Sequence, residues 1–258
     1  RGGIIMDIKE KTAIITGGSR GLGRNTALNL ASRGVNIIFT YNSNKFEAEK
    51  TLQLIQEYGV NGAMLNLDTA NTKLFDAFVQ NVEKILQEWK CKTFNYLINN
   101  AGTSHHNSIE NTTEEELDTL YNVHFKGVFF LTQKLLMLLN DGGSIINIST
   151  GLTRFTSPGS AAYASIKGAV EVMTRYLAME LGPRKITVNT IAPGAIQTDF
   201  SGGVVRDNPE VNKMIAEHTA LGRAGVPDDI GPMIASLLSD SNRWVTGQRI
   251  EVSGGMFL

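Results

Sequence analysis

At 258 residues, with 42% apolar and 19% charged side chains, the chain has the composition of a soluble globular protein that can bury one sizeable core. A net charge of −1 leaves no global field to recruit nucleic acid or an anionic membrane, and no run of about 18 apolar residues suits a membrane span. Cys91 is the only cysteine, which excludes an internal disulfide and fits a reducing, cytoplasmic setting.

The first residues, Arg1-Gly2-Gly3-Ile4-Ile5-Met6, are too short for a secretory signal. Met6 reads as the natural start and residues 1–5 as an added or upstream extension, so the domain is expected over 6–258. Short apolar runs then alternate with longer helical patterns. Strands are predicted at Thr12–Thr16, Asn36–Thr40, Gly62–Asn66, Tyr96–Asn99, Ser144–Ser149, Thr187–Ile191 and Arg249–Val252. Helices are predicted near 22–33, 45–58, 70–88, 114–139, 161–181 and 228–239, the first closed by Gly34 at the C′ position. This alternation predicts one α/β domain with a parallel sheet and helices on both faces. The Gly-, Asn- and Pro-punctuated stretch 198–225, around a weak helical pattern at 210–219, reads as a lid over a binding site.

The turn Thr16-Gly17-Gly18-Ser19-Arg20-Gly21-Leu22-Gly23 follows the first strand and opens a helix. Glycines there let the backbone approach a pyrophosphate, and the helix N-terminus offers unpaired N–H groups to the anion. A dinucleotide is expected on this turn, although the spacing Gly17, Gly21, Gly23 is not G-x-G-x-x-G. The second strand ends Phe39-Thr40-Tyr41-Asn42-Ser43-Asn44-Lys45 without the carboxylate that usually holds an NAD ribose. With Arg20 in the turn and Asn42, Ser43 and Lys45 nearby, NADP(H) is expected ahead of NAD(H); the alternative is that Arg20 merely pairs with a surface carboxylate.

Tyr163 and Lys167 lie four residues apart on one helical face. A neighbouring ammonium favours the phenolate, so the pair is expected to bring the tyrosine pKa toward the working range. Ser149 and Thr150 end the fifth strand and Asn99-Asn100-Ala101-Gly102 ends the fourth, so these groups converge at the carboxyl edge of the sheet, where open parallel sheets bind ligands.

Together, Thr16–Gly23, Asn99–Gly102, Tyr163–Lys167 and Pro193-Gly194-Ala195-Ile196-Gln197-Thr198 resemble the short-chain dehydrogenase/reductase family, single-domain type, over the whole chain from about Met6. The closing segment Gly247–Gly255 is similar to that family's last strand. The resemblance implies a Rossmann fold with a doubly wound, seven-stranded sheet, a homotetramer, and reversible hydride transfer between NADP(H) and a carbonyl/alcohol pair. It further implies Tyr163 as general acid/base, Lys167 on the nicotinamide ribose, Asp68 at the adenine, Asn99 supporting sheet and cofactor, and Ile196 and Thr198 at the carboxamide.

Two positions depart from the family pattern. The substrate-orienting serine thirteen residues before the tyrosine is here Thr150, with Ser149 as the fallback. The catalytic asparagine three residues before Gly127 is here His124, whose neutral imidazole could hold the same relay water, unless Asn122 takes the role or His124 merely packs.

His105 and His106 could face substrate or solvent. The run Glu114-Glu115-Glu116 behind Asn111-Thr112-Thr113 reads as a capped helix start. Val128–Leu139 reads as a core helix, and the resemblance suggests a subunit interface with the 161–181 helix. No cluster at metal-ligand spacing is seen. The substrate is open between a 3-oxoacyl thioester on an acyl carrier protein, for which Arg175, Arg184 and Lys185 form no strong cluster, and a free ketone, aldehyde, sugar or polyol. A catalytically silent, cofactor-sensing protein on the same fold is the alternative function.

Overall fold

The computed structural model describes residues 10–258. The reading of residues 1–5 and Met6 lies outside them. Seven strands form one all-parallel sheet: β1 (Thr12–Ile15), β2 (Asn36–Tyr41), β3 (Gly62–Asn66), β4 (Phe94–Asn99), β5 (Leu139–Ile148), β6 (Thr187–Pro193) and β7 (Arg249–Val252). Their order is β3-β2-β1-β4-β5-β6-β7. The chain winds one way from β1 to β3 and the other way from β4 onward, so the switch in direction lies between β1 and β4. A ligand crevice is expected at the carboxyl ends of those two strands.

The strands alternate their side chains between two apolar layers, as the pleat requires. Ala13, Ile15, Ile37 and Phe39 face α1 (Gly21–Ala31), α2 (Lys45–Gln56) and, further along the chain, α9 (Gly231–Leu237), through Ala27, Leu30, Ala48, Ile55, Ile234 and Ala235. Ile14, Ile38, Leu97 and Val188 face the other layer. There α3 (Phe75–Glu88), α5 (Gly127–Leu135) and α6 (Ala161–Leu181) supply Phe75, Phe78, Val82, Leu131, Leu135 and Leu181.

Most elements fall where the hydrophobic period predicts, but the helix predicted over 114–139 is three pieces. The first, α4 (Glu114–Tyr121), opens on the expected capping box: Thr113 Oγ1 accepts from Glu116 N at 3.2 Å, and Glu116 Oε2 accepts from Thr113 N at 2.9 Å. A π turn at Asn122–Lys126 follows, then α5, which stops at Leu135; Leu139 already pairs with Phe94 in the sheet. An apolar run reads alike as helix or buried strand, which is why periodicity missed that boundary. The stretch 198–225 carries two further helices, α7 (Val204–Asp207) and α8 (Pro209–Glu217). Ile215 and Ala224 of that stretch are buried with Met256 of the C-terminal tail, and Phe155 and Val211 pack on them. No helix among the described residues is long and apolar enough to cross a membrane.

Candidate active site

The glycine turn needs its glycines for definite reasons. Gly17 and Gly21 have φ of +66° and +55°, the left-handed region. A Cβ on Gly23 would stand 2.2 Å from the Gly17 carbonyl oxygen, and one on Gly17 would stand 2.9 Å from Ala101 Cα. Helix α1 then starts with no side-chain cap and no acid in its first turn, so its amide groups and dipole are available to an anion. This arrangement fits a pyrophosphate held by the backbone of Ser19, Gly21, Leu22 and Gly23.

Arg24, which sequence reasoning passed over, fixes the turn. Its guanidinium donates to Ser19 O (2.6 Å), Thr51 Oγ1 (2.7 Å) and Glu47 Oε2 (2.6 Å), tying the turn to α2. Lys50 and Arg24 hold the Glu47 carboxyl below its ordinary pKa. Arg20 by contrast is exposed and makes no ion pair among the described residues. The surface-carboxylate pairing weighed for it is therefore absent from the described residues. Asn42 and Ser43 are also exposed at the end of β2, and Lys45 sits a loose 3.6 Å from Glu49. At the end of β3, Asp68 accepts from Ala70 N at 2.9 Å and so shapes its own loop.

The fourth strand's turn is locked onto the first. Thr16 Oγ1 accepts from Asn100 N and Ala101 N, both at 3.0 Å, while Asn100 Nδ2 donates to Thr16 O (2.9 Å) and Gly17 O (3.1 Å). Asn99 points into the sheet, donating to Asn147 Oδ1 (2.8 Å) and Thr132 Oγ1 (3.1 Å); Asn147 continues to Thr174 Oγ1 at 2.9 Å. This buried polar chain fixes β4, β5, α5 and α6 relative to one another. Gly102 has no Cβ because His124 occupies its place: the added atom would lie 2.7 Å from His124 Cε1.

Tyr163 and Lys167 share the inner face of α6, both buried. Lys167 Nζ donates to Ile148 O at 2.8 Å and lies 5.8 Å from the Tyr163 ring centroid. Burial pushes the Lys167 pKa down to about 8 and the Tyr163 phenol above its ordinary value. This corrects the expectation drawn from the charge pair alone. Desolvation of the phenol outweighs the attraction of an ammonium that is itself bound to a carbonyl.

Of the two candidate hydroxyls, Ser149 is committed elsewhere, donating to Glu171 Oε1 at 2.6 Å. Thr150 Oγ1 only accepts, from Leu152 N at 3.3 Å, which leaves its hydroxyl hydrogen for a ligand. His124 sits in the π turn, a helix irregularity that often marks functional sites. Its ring meets Tyr163 edge-on, and its Nε2 lies 2.9 Å from Thr103 O. Thr103 N lies 3.2 Å from the same nitrogen and can donate to it, so the Thr103 backbone serves Nε2 in either tautomer, and Nδ1 is buried with no protein partner among the described residues. Burial first, then the Lys167 charge, holds the His124 pKa well below its ordinary value.

The remaining wall comes from the end of β6. Pro193 closes that strand, Gly194 N donates to Val252 O at 3.1 Å, and Ile196 bridges to Gly225. A Cβ on Gly21 would lie 3.7 Å from Thr198 Cβ, so this segment and the glycine turn border one cleft. Phe200 follows, its ring centroid 6.3 Å from that of Tyr163. Beyond the Asn-Ala-Gly turn, His106 packs against Gly159, and His105 lines a cavity of about 220 Å³ with Thr103, Ser104, Glu115, Glu116, Thr119 and Leu120.

Sequence reasoning also missed Glu171, Arg249 and Phe200. The signal for Glu171 was present, since it extends the Tyr163, Lys167 face by one more helical turn; nothing local in the sequence pointed to the other two.

Comparison with known proteins agrees with this geometry. Residues 17–257 match the family described as Enoyl-(Acyl carrier protein) reductase. The 3-oxoacyl-[acyl-carrier-protein] reductase FabG of Staphylococcus aureus is 34% identical over 250 residues, covering 96% of this chain and 98% of that protein. The promiscuous reductase LugOII, which catalyses keto-reduction at C1 during lugdunomycin biosynthesis, has a TM-score of 0.92 at 36% identity, covering 97% of this chain and 99% of its own. The angucycline C-6 ketoreductase LanV with bound NADP has a TM-score of 0.91 at 32% identity, covering 97% of each chain. With sequence and backbone agreeing over nearly the full length, this chain belongs to the short-chain dehydrogenase/reductase family.

Proposed function

We propose that the protein is an NADP(H)-dependent oxidoreductase that interconverts a free ketone and its alcohol. The observation that carries this reading is the buried pair Tyr163 and Lys167, with Lys167 bound at the end of β5 to Ile148 O two residues before a Thr150 hydroxyl whose hydrogen is uncommitted. Thr150 and Tyr163 hydrogen-bond the carbonyl oxygen, and their donors stabilise the alkoxide charge as it develops. The dinucleotide, when bound, supplies or accepts the hydride. Tyr163 gives its phenolic proton to the alkoxide and regains one through Lys167 and a water held at His124 Nδ1.

The cofactor reading assigns Gly17, Ser19, Gly21, Leu22 and Gly23 to the pyrophosphate and Arg20, Asn42 and Ser43 to a 2′-phosphate. Asp68 borders the adenine, and Asn99, Ala101 and Gly102 the central wall. Lys167 and Tyr163 serve the nicotinamide ribose, and Pro193, Gly194, Ile196 and Thr198 the nicotinamide end. The unpaired Arg20 and the carboxylate-free end of β2 support NADP(H), and the relative LanV was solved with NADP bound.

The charge around the mouth supports a free substrate over a carrier-bound one. Arg154, Arg206 and Arg223 are each paired with a carboxylate, at 2.6 Å in every case. Arg184 and Lys185 follow the C-terminal end of α6, about 30 Å along the chain axis from Tyr163 by helical rise. Arg184 is moreover held by Asp141. Arg175 and Lys185 are exposed without ion pairs among the described residues but lie roughly 18 and 30 Å from Tyr163 by helical rise, so an acidic carrier would meet only scattered positive charge.

The chain is further proposed to assemble as a homotetramer in a cytoplasmic setting. Phe129, Phe130, Tyr176 and Met179 expose large apolar side chains on α5 and α6, in support of a subunit contact there.

Turnover of a panel of ketones, aldehydes and acyl thioesters, free and carrier-bound, followed by NADPH absorbance tests the reading. Activity that Tyr163→Phe abolishes is the expected result and excludes a silent cofactor sensor; absence of turnover with every class would overturn it.

A further inference from the structure

The inner face of α6 does not end at Lys167. One turn further, Glu171 is buried to 12% side-chain exposure, and its Oε1 accepts three hydrogen bonds: from Ser149 Oγ (2.6 Å), Thr153 Oγ1 (2.7 Å) and Arg249 Nε (2.9 Å). Two of these donors flank Thr150 in the chain. The third, Arg249 on β7, also reaches Thr150 itself, its guanidinium donating to the Thr150 carbonyl oxygen at 3.2 Å. Thr153 Oγ1 lies 3.0 Å from the same oxygen. The backbone of residues 149–153 is thus gripped from α6 and β7 at once, and Thr150 Oγ1 is aimed by what is done to its neighbours.

The grip is braced electrostatically. Arg249 bonds Glu251 at 3.0 Å, and Glu251 in turn holds Arg154 through two contacts of 2.6 and 2.7 Å. Arg154 donates onward to the carbonyls of Met256 (2.5 Å) and Phe257 (3.0 Å). The four charges alternate in sign from the half-buried Glu171 and Arg249 out to the exposed Arg154, so each ion has an opposite neighbour and further hydrogen bonds, the condition under which such a network is rigid rather than costly.

We propose that Glu171 and Arg249 are positioning residues for catalysis, setting the direction of the Thr150 hydroxyl toward the substrate carbonyl from the same helix that carries Tyr163. The inference rests on the reading of Thr150 as a carbonyl-oxygen donor. Neither Glu171 nor Arg249 touches substrate. A displaced donor weakens the transition state more than the ground state, so the effect belongs in kcat rather than in cofactor binding.

The test is a double-mutant cycle between Glu171→Gln and Thr150→Val, with Arg249→Leu and Arg249→Lys as companions, on the full-length protein and its best ketone substrate. Glu171→Gln keeps size and an acceptor but loses the charge; it and Arg249→Leu are expected to lower kcat about tenfold, a modest share of what misplacing a reacting group costs. NADPH affinity, read by fluorescence titration, stays within about twofold and shows that the dinucleotide site is folded. Arg249→Lys restores part of kcat. In the Thr150→Val background the Glu171→Gln effect disappears, since the hydroxyl it aims is gone. Equal loss of kcat in both backgrounds, or an unchanged kcat in Glu171→Gln, overturns the positioning role. Thr150→Val with kcat intact overturns the reading of Thr150 itself, and the positioning role with it.

Discussion

The ring of His124 stands edge-on to that of Tyr163, with centroids 5.3 Å apart and planes at 88°. Nε2 is spent on the Thr103 backbone, which leaves Nδ1 as the ring's unpartnered polar atom among the described residues. An asparagine amide offers both a donor and an acceptor to the same water, whereas leucine offers neither. His124→Asn should therefore retain most of kcat and His124→Leu should lose about tenfold or more, the lower end of a proton-transfer contribution. Steady-state kinetics of the two variants decide this; equal activities would deny His124 a place in the relay.

The same burial has a consequence for stability. His124 is held neutral in the fold well below pH 6.5, while in the unfolded chain it titrates normally. As pH falls below about 6.5 the unfolded state takes up a proton that the folded state refuses, and stability drops by up to about 1.4 kcal/mol per pH unit. Thermal melts between pH 7 and pH 5 should show wild type losing ground to His124→Asn. Parallel Tm curves would contradict the assignment of a neutral buried imidazole.

Lys167 sets the alkaline side of the rate profile. Burial, which lowers its pKa to about 8, leaves it protonated at neutral pH and lets it lose that proton just above it. Tyr163, pushed upward by burial, stays protonated throughout this range. For carbonyl reduction, which consumes a proton through Lys167, kcat/KM should be level from pH 6 to about 7.5 and fall above about 8. Alcohol oxidation should instead rise over the same interval. Lys167→Arg, with a guanidinium that does not titrate, should remove the limb near 8.

Much of this site is legible in the sequence, because its parts are local. The glycine turn, the Tyr163–Lys167 spacing and the strand ends that carry Asn99 and Thr150 each depend on a few contiguous residues and on a sheet that alternation alone predicts. What was not legible depends on distance. Arg24 grips Ser19 and Glu47, and Arg249 reaches Glu171 across 78 residues of chain, contacts that no spacing rule encodes. The π turn escaped for another reason: Asn122–Lys126 has ordinary helical composition, and only the fit of Gly127 against the Thr69 carbonyl, where a Cβ would stand 2.1 Å away, shows how closely that turn is packed. The direction of the Tyr163 pKa was misjudged because a sequence reveals a neighbouring charge but not the depth of burial.

Arg20 is the discriminating residue for the cofactor. It is exposed and carries no ion pair among the described residues, so its guanidinium can take a 2′-phosphate without breaking an existing bond. A charge-assisted pair of this kind contributes about 1.5–3 kcal/mol, which corresponds to roughly ten- to hundredfold in affinity. Arg20→Ala should raise the Kd for NADPH by that factor and leave the Kd for NADH within about twofold. A uniform loss for both dinucleotides would mean that Arg20 serves the turn rather than the phosphate.

The exposed apolar residues of α6 make a separate prediction. Tyr176 is 67% exposed and Met179 81%, large apolar groups on the outer face of the helix whose inner face holds Tyr163 and Lys167. If this face is a subunit contact, placing a carboxylate on it opposes association by burying an unpaired charge, while the monomer core is untouched. Tyr176→Glu with Met179→Glu should shift the mass measured by light scattering to a smaller species, with the circular dichroism spectrum preserved. Because α6 carries the catalytic pair on its other side, kcat should fall with the loss of assembly, and more at low protein concentration than at high. A variant with unchanged mass would move the subunit contact elsewhere on the surface.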